Sequence, residues 1–219
     1  MISIVTAIYR GEEYLPKTIE SVLSQSYSEW EWIIGVNGWG DEQECATERI
    51  GGLVNDSRIR VVDMRTQGKC ATLNQMMSLC SCEYVCLLDC DDIWHSKKLE
   101  KQIVYKSDYD VVGTNCIFFG DLNVKPRLHL GVVPPEALYE YNTIINSSAM
   151  FNKCDALWDV EFEGVDDYDM WLRILAHGGT FFNLPEILTY YRFRQGSVSR
   201  QANHDRKIVE LKRKWIHQK

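Results

Sequence analysis

The chain of 219 residues has no apolar run approaching the roughly twenty residues that span a bilayer, and no low-complexity tract. It also lacks a linker rich in proline, glycine or serine, so nothing in its composition divides it into separate domains. Its start, Met1-Ile2-Ser3-Ile4-Val5, reads as a strand instead of the basic-then-apolar opening of a secretory signal. A membrane-spanning, fibrous or disordered protein is excluded, and a cytoplasmic location is the default expectation. Paired CxxC motifs are missing too. Of the eight cysteines, Cys80, Cys82, Cys86 and Cys90 crowd together, but no histidine stands at ligand spacing, so all eight read as mostly buried, reduced thiols.

Net positive charge is likewise absent. A formal charge of −7 argues against a general nucleic-acid binder, and no nucleic-acid partner is expected. The charge is uneven: Arg200, Arg206, Lys207, Lys212, Arg213, Lys214 and Lys219 face only Asp205 and Glu210, leaving the rest of the chain strongly acidic. What is present is the balance of an ordinary globular protein, 45% hydrophobic and 25% charged.

Ile2 to Ile8, Trp30 to Val36, Arg58 to Asp63 and Tyr84 to Leu88 are apolar, β-branched runs of strand length. Between them, Glu12 to Gln25 places Leu15, Ile19, Val22 and Leu23 at helical spacing, with Pro16 in the first turn, where its missing N–H does no harm. A second helix runs toward Ile50, with Asp41 as a candidate cap, and a third includes Thr72 to Leu79. Alternation at this pitch predicts βαβ units with right-handed crossovers and a mostly parallel sheet flanked by helices. Beyond a helix over Ser96 to Lys106 and a strand at Tyr109 to Gly113 the pattern turns α+β. Strands are expected at Ile144 to Phe151, Thr180 to Phe182 and Ile187 to Phe193, and helices at Asp167 to His177 and Asn203 to His217. The expectation is one domain, with a nucleotide-binding half over about 1–115 and an acceptor-binding half over about 116–219.

The most unusual stretch is Asp89-Cys90-Asp91-Asp92, directly after the apolar run Tyr84 to Leu88. Carboxylates this close raise one another's pKa unless a cation sits among them. Oxygen ligands of this kind favour Mg²⁺ or Mn²⁺, which suits the carboxyl end of a strand in an open sheet. The blander alternative is a solvated acidic turn. A second cluster, Asp166-Asp167-Tyr168-Asp169, opens a helix, where capping and the helix dipole favour acidic residues in any case. Its functional reading is that one carboxylate takes a proton from a hydroxyl. Of the tryptophans, Trp94 and Trp158 are the candidates for a sugar-stacking platform.

Taken together, Ile4 to Tyr9 with Tyr14-Leu15 and Ser21 to Tyr27, Gly68-Lys69-Cys70-Ala71-Thr72-Leu73-Asn74, Asp89-Cys90-Asp91-Asp92, Asp166 to Arg173 and Tyr191 to Ser199 resemble the inverting glycosyltransferase family two. Each motif alone is weak, but five in the family's order across the chain are specific. The resemblance implies the nucleotide-diphospho-sugar transferase fold called GT-A and a DxD element at Asp89 and Asp91. Asp92 immediately follows, and among them the three would hold the ribose and Mn²⁺ or Mg²⁺, without the resemblance dividing those roles between them. It implies that Thr6 and Tyr9 line the nucleoside pocket, that Lys69 lies near base or diphosphate, and that Arg192 and Ser197 belong to a flexible segment closing over the phosphates. Asp167 is the implied general base, with Asp166 where the family prefers Glu.

The implied reaction is metal-dependent, inverting transfer from a nucleotide-diphosphate sugar to a hydroxyl of a glycan, glycolipid or glycoprotein acceptor. Two departures stand out. Asn37 replaces an acidic contact to the base, and Arg194 adds a fixed charge where histidine is common. Two other classes compete. A sugar-phosphate nucleotidyltransferase would need a glycine- and lysine-rich phosphate loop, and Tyr9-Arg10-Gly11-Glu12 offers one glycine only. A non-catalytic sugar- or partner-binding module would have no need for both acidic motifs. Around Ile208, Leu211 and Trp215 the basic C-terminal helix reads first as docked on the core. The sharper alternative is peripheral contact with an anionic membrane or a neighbouring domain.

Overall fold

In the computed structural model, which describes residues 1–194 and 204–216, the apolar runs predicted as strands build the centre of one mixed sheet. Strands β1 (Ile2–Ile8), β2 (Trp30–Val36), β3 (Ile59–Asp63) and β4 (Tyr84–Leu87) lie parallel in the order β3-β2-β1-β4. Beyond β4 the sheet turns mixed through β8 (Met150–Asn152), β6 (Val111–Gly120), β9 (Phe181–Phe193) and β5 (Ile93–Trp94). A ninth strand, β7 (Gly131–Val133), pairs with β9.

Both faces of the sheet are covered, which is why the strands read as nearly continuous apolar runs. From β1, Ile2, Ile4 and Ile8 pack toward α1 (Leu15–Leu23), α2 (Gln43–Gly51) and α4 (Lys98–Ile103). Val5 points the other way, toward α3 (Lys69–Met76), α5 (Pro135–Glu140), α6 (Asp166–Ala176) and α7 (His204–Trp215). This second core joins residues from Val5 to Leu211, so the two halves of the chain share one interior.

The later half departs from expectation. Ile144 to Phe151 is not one strand. Asn146–Ser148 forms a 3₁₀ turn before β8, because side chains here serve neighbouring loops: Ser147 Oγ accepts the Asp89 N–H and Ser148 Oγ donates to the Ile145 carbonyl. Thr180 to Phe182 and Ile187 to Phe193 merge into the single strand β9. Its register against β6 shifts around Asn115, opposite Pro185 and Glu186, and the Asn115 side-chain amide donates to the Pro185 carbonyl. Asp41 does not cap α2 but lies in the 3₁₀ turn Gly40–Glu42 ahead of it. Trp94 and Trp158 are both buried, which removes them as sugar platforms.

α7 is a docked helix. Ile208, Leu211 and Trp215 pack on the core, Lys207 donates to the Glu163 carbonyl, Lys212 to the Glu140 carbonyl, and Lys214 pairs with Asp159 and Asp169. With its stripe turned inward and these lysines engaged, α7 lends no support to membrane contact. Among the described residues, no helix is long and apolar enough to cross a membrane.

Candidate active site

Strand order reverses at β1, which has β2 on one side and β4 on the other, and ligands of open α/β sheets bind at such a crevice. Tyr9 follows β1, Asn37 follows β2 and Asp89 lies two residues beyond β4, so one end of the sheet gathers three of the candidate residues. Tyr9 is 52% exposed, its ring edge against Trp39 and its face toward Arg10. Gly38, at φ 78°, allows this packing, since a Cβ there would stand 3.1 Å from the Tyr9 ring. Beside it, a cavity of about 300 Å³ is lined by Gly38, Gly40, Asp41, Gln43, Glu44 and Arg65, among others. Asn37, the residue before Gly38, is buried, its N–H bonded to the Ile8 carbonyl. Thr6 is placed differently from the expectation that it lines the pocket. It is 1% exposed, its hydroxyl donates to the Leu88 carbonyl at 2.6 Å and accepts from Trp32 Nε1, so it ties β1 to the end of β4 beneath the site.

The three carboxylates after β4 diverge. Asp89 Oδ1 faces Lys69 Nζ at 3.2 Å and its Oδ2 accepts from Asn146 Nδ2 at 3.0 Å. Asp91 Oδ2 meets Arg194 at 2.7 Å. Asp92 is fully buried, its Oδ1 accepting the Arg192 main-chain N–H at 2.6 Å, while Oδ2 has no partner. Burial first, then the neighbouring aspartates, push Asp91 above the usual carboxylate range and Asp92 well above it. Arg192 is therefore not in a loop. It sits within β9, its guanidinium between the rings of Tyr14 and Phe119 and donating to the Asp91 carbonyl. Ser197 lies outside the described residues.

Among the described residues no three Asp, Glu, His or Cys side chains gather as a metal cage. Asp92 faces inward. Asp89 and Asp91, with side chains 28% and 12% exposed, remain as hard oxygen donors. That set fits Mg²⁺ or Mn²⁺, which takes one or two carboxylates and fills its shell with water and phosphate oxygens.

Lys69 links this cluster to the second one. It starts α3 behind Gly68, whose φ of 90° and close approach to the Glu163 carboxylate exclude a side chain. Glu163 Oε1 accepts the Lys69 N–H at 2.7 Å, fixing the helix start from the loop before α6. Burial works against the Lys69 ammonium, yet Asp89, then Asp166 and Asp167, hold its pKa well above the ordinary value. One cation thus faces both acidic motifs. Asp166 is buried, with Oδ1 accepting the Gly164 N–H and Oδ2 unpartnered. Asp167 Oδ1 accepts the Tyr168 N–H at 2.8 Å and Oδ2 accepts from Asn142 Nδ2 at 2.9 Å. Burial and Asp166 raise its pKa to about 6, against the pull of Lys69. Asp169 is structural, accepting from Trp215 Nε1 and Lys214. Asn142, Asn146 and Ser147 were not legible as site residues, because a polar residue in a loop carries no periodic signal.

A glycosyl transferase family 2 model matches residues 3–160, most of the chain. The chain belongs to that family. Two curated *Escherichia coli* relatives of this family 2 chain are 30% identical to it. The O-antigen biosynthesis glycosyltransferase WbnJ aligns over 92% of this chain and 83% of its own length. The UDP-Glc:alpha-D-GlcNAc-diphosphoundecaprenol beta-1,3-glucosyltransferase WfaP aligns over 95% and 83%. Among solved structures, *S. aureus* TarS 1-349 in complex with UDP-GlcNAc superposes with a TM-score of 0.75 at 14% identity, over 96% of this chain. The *Pyrobaculum calidifontis* mannosyltransferase PcManGT, in complex with GDP-Man and Mn²⁺, gives 0.68 at 16% identity over 90%. This chain spans 65% of that TarS chain and 58% of PcManGT. The fold these family 2 residues adopt is GT-A, as the motif order implied.

Proposed function

We propose that this family 2 glycosyltransferase moves a sugar from a nucleotide-diphosphate donor to a hydroxyl of a glycan or glycolipid acceptor, with inversion and with Asp167 as general base. The observation that carries the reading is Lys69, a single ammonium held against Asp89 on one side and under the attraction of Asp166 and Asp167 on the other. A donor bound along β1 and β4 would lie with its diphosphate at Lys69 and the DxD carboxylates and its sugar toward Asp167.

The nucleoside end is assigned to the exposed Tyr9 ring and the cavity beside Gly38, next to the buried Asn37. The diphosphate end is assigned to Lys69, Arg192 and Arg194. A divalent ion bound at Asp89 and Asp91 would neutralise charge on the departing diphosphate. Asp167 has the protonation state a base needs, since a pKa of about 6 leaves it ionised at neutral pH and a stronger acceptor than an ordinary carboxylate. Its proton gain and the attack of the acceptor oxygen on the anomeric carbon, opposite the leaving group, give inversion in one displacement. Positioning of two substrates and stabilisation of the leaving group supply most of the rate. WfaP acts, by its name, on a diphosphoundecaprenol-linked acceptor, which favours a glycolipid among the acceptor classes.

The test is hydrolysis of a panel of nucleotide sugars with Mn²⁺ or Mg²⁺ and no acceptor. Turnover of one donor, lost on chelation and in Asp91→Ala, is expected. Absence of both hydrolysis and metal-dependent nucleotide binding across the panel would overturn the reading in favour of a binding module.

A further inference from the structure

We propose that Asn142, in the loop between α5 and β8, is a positioning residue that holds the Asp167 carboxylate in its proton-accepting orientation. This rests on Asp167 as the base. Asn142 Nδ2 donates to Asp167 Oδ2 at 2.9 Å, across 25 residues of sequence. Which end of the amide faces the carboxylate is fixed locally. Asn142 Oδ1 accepts the Ile144 N–H at 3.2 Å, so only the NH₂ end is left for Asp167.

The loop behind the amide is rigid. Thr143 and Ile144 are fully buried, the Thr143 hydroxyl accepts the His129 N–H, and the Thr143 carbonyl accepts from Asn183. Asp167 Oδ1 is held separately by the Tyr168 N–H at 2.8 Å. Each carboxylate oxygen therefore has one lone pair engaged, and the rotamer is locked while lone pairs remain for an acceptor proton. A neutral donor suits this task. A second cation in its place would stabilise the anion more strongly and weaken it as a base.

The charged groups around Asp167 come from two elements. Asp166, on α6 itself, raises its pKa, and Lys69, from α3, lowers it. The Tyr168 phenol donates to the Leu138 carbonyl. Asn142 adds a lowering contribution from the acceptor side of the fold.

The test is a carboxyl ¹³C NMR titration of aspartate-labelled full chain, with Asp167→Asn used to assign the Asp167 resonance. In Asn142→Ala the Asp167 midpoint should rise by about one pH unit, the size expected for losing a hydrogen bond to a charged group. Asn142→Asp, which adds a like charge, should raise it further, and Asn142→Ser, which keeps a donor, should restore part of the wild-type value. An Asp167 midpoint unchanged in both Asn142→Ala and Asn142→Asp, with folding verified by circular dichroism, would overturn the assignment. The base reading fails separately: if Asp167→Asn still transfers sugar, Asp167 is not the base, whatever Asn142 does to its titration.

Discussion

The two acidic motifs of this protein differ in their direct partners. After β4, two carboxylates are ion-paired, Asp89 with Lys69 and Asp91 with Arg194, while Asp92 accepts the neutral main-chain N–H of Arg192. At the start of α6, the hydrogen-bond partners of Asp166 and Asp167 are all neutral, the N–H groups of Gly164 and Tyr168 and the amide of Asn142, and Lys69 acts on them only through its charge. Paired charges suit a place where a diphosphate and a divalent ion must be held, because they can be exchanged for ligand charges of the same sign. Neutral donors and burial leave a carboxylate ionised but basic, as proton abstraction needs. Similar sequence clusters thus differ in what surrounds them.

The sharpest way to break the contrast is Asp167→Asn. Transfer should fall by about a hundredfold to ten-thousandfold while donor binding persists, measured by turnover and by calorimetric nucleotide titration. In the wild type the folded pKa of about 6 lies above the unfolded value, so ionising Asp167 costs stability as pH rises through that interval, a pH-dependent loss that the variant should not show in denaturant unfolding. For the same reason transfer should decline below about pH 6, as the base takes up a proton.

Next in size is Asp91→Ala, which removes one DxD oxygen donor and leaves Arg194 without its partner. Metal-dependent binding of the nucleoside diphosphate should weaken by about tenfold to a hundredfold, read as loss of the thermal shift produced by Mn²⁺. Glu163→Ala should have a smaller effect, about fivefold in transfer, because it removes the acceptor of the Lys69 N–H that fixes the start of α3. A Lys69 whose helix start no longer depends on Glu163 would show no change.

The smallest effect on transfer is expected from Lys98→Met, on α4. Lys98 is fully buried, 3.9 Å over the Trp94 ring and bonded to Gln102 Oε1, and burial lowers its pKa to about 8. Its charge is a cost present in full below pH 8 and gone once the unfolded amine also loses its proton. Methionine should therefore stabilise the fold most below pH 8, with the advantage shrinking toward pH 10.5, as followed by denaturant unfolding across that range.

Much of the parallel part of the sheet was legible in the chain. β1 to β4 follow the apolar runs almost to the residue, because a strand covered on both faces must be apolar at nearly every position. The order of elements places Tyr9 and Asp89 at neighbouring strand ends once the crossovers are right-handed. The mixed part of the sheet was less legible. β5 and β7 are strands of two and three residues, too short for a period to register, and α5 has six. β9 hides its continuity behind Pro185, which reads as a break yet sits opposite a bulge.

Sequence by itself determined the family, the mostly parallel first strands and the positions of both acidic clusters, because these rest on local patterns and their succession. Only the tertiary structure decided that Asp92 faces inward while Asp89 stays partly open, that Thr6 braces the sheet, and that Asn142 meets Asp167. Those outcomes depend on which distant group arrives beside each carboxylate. Proximity across 25 or 100 residues is fixed by packing, and no local spacing in the chain encodes it.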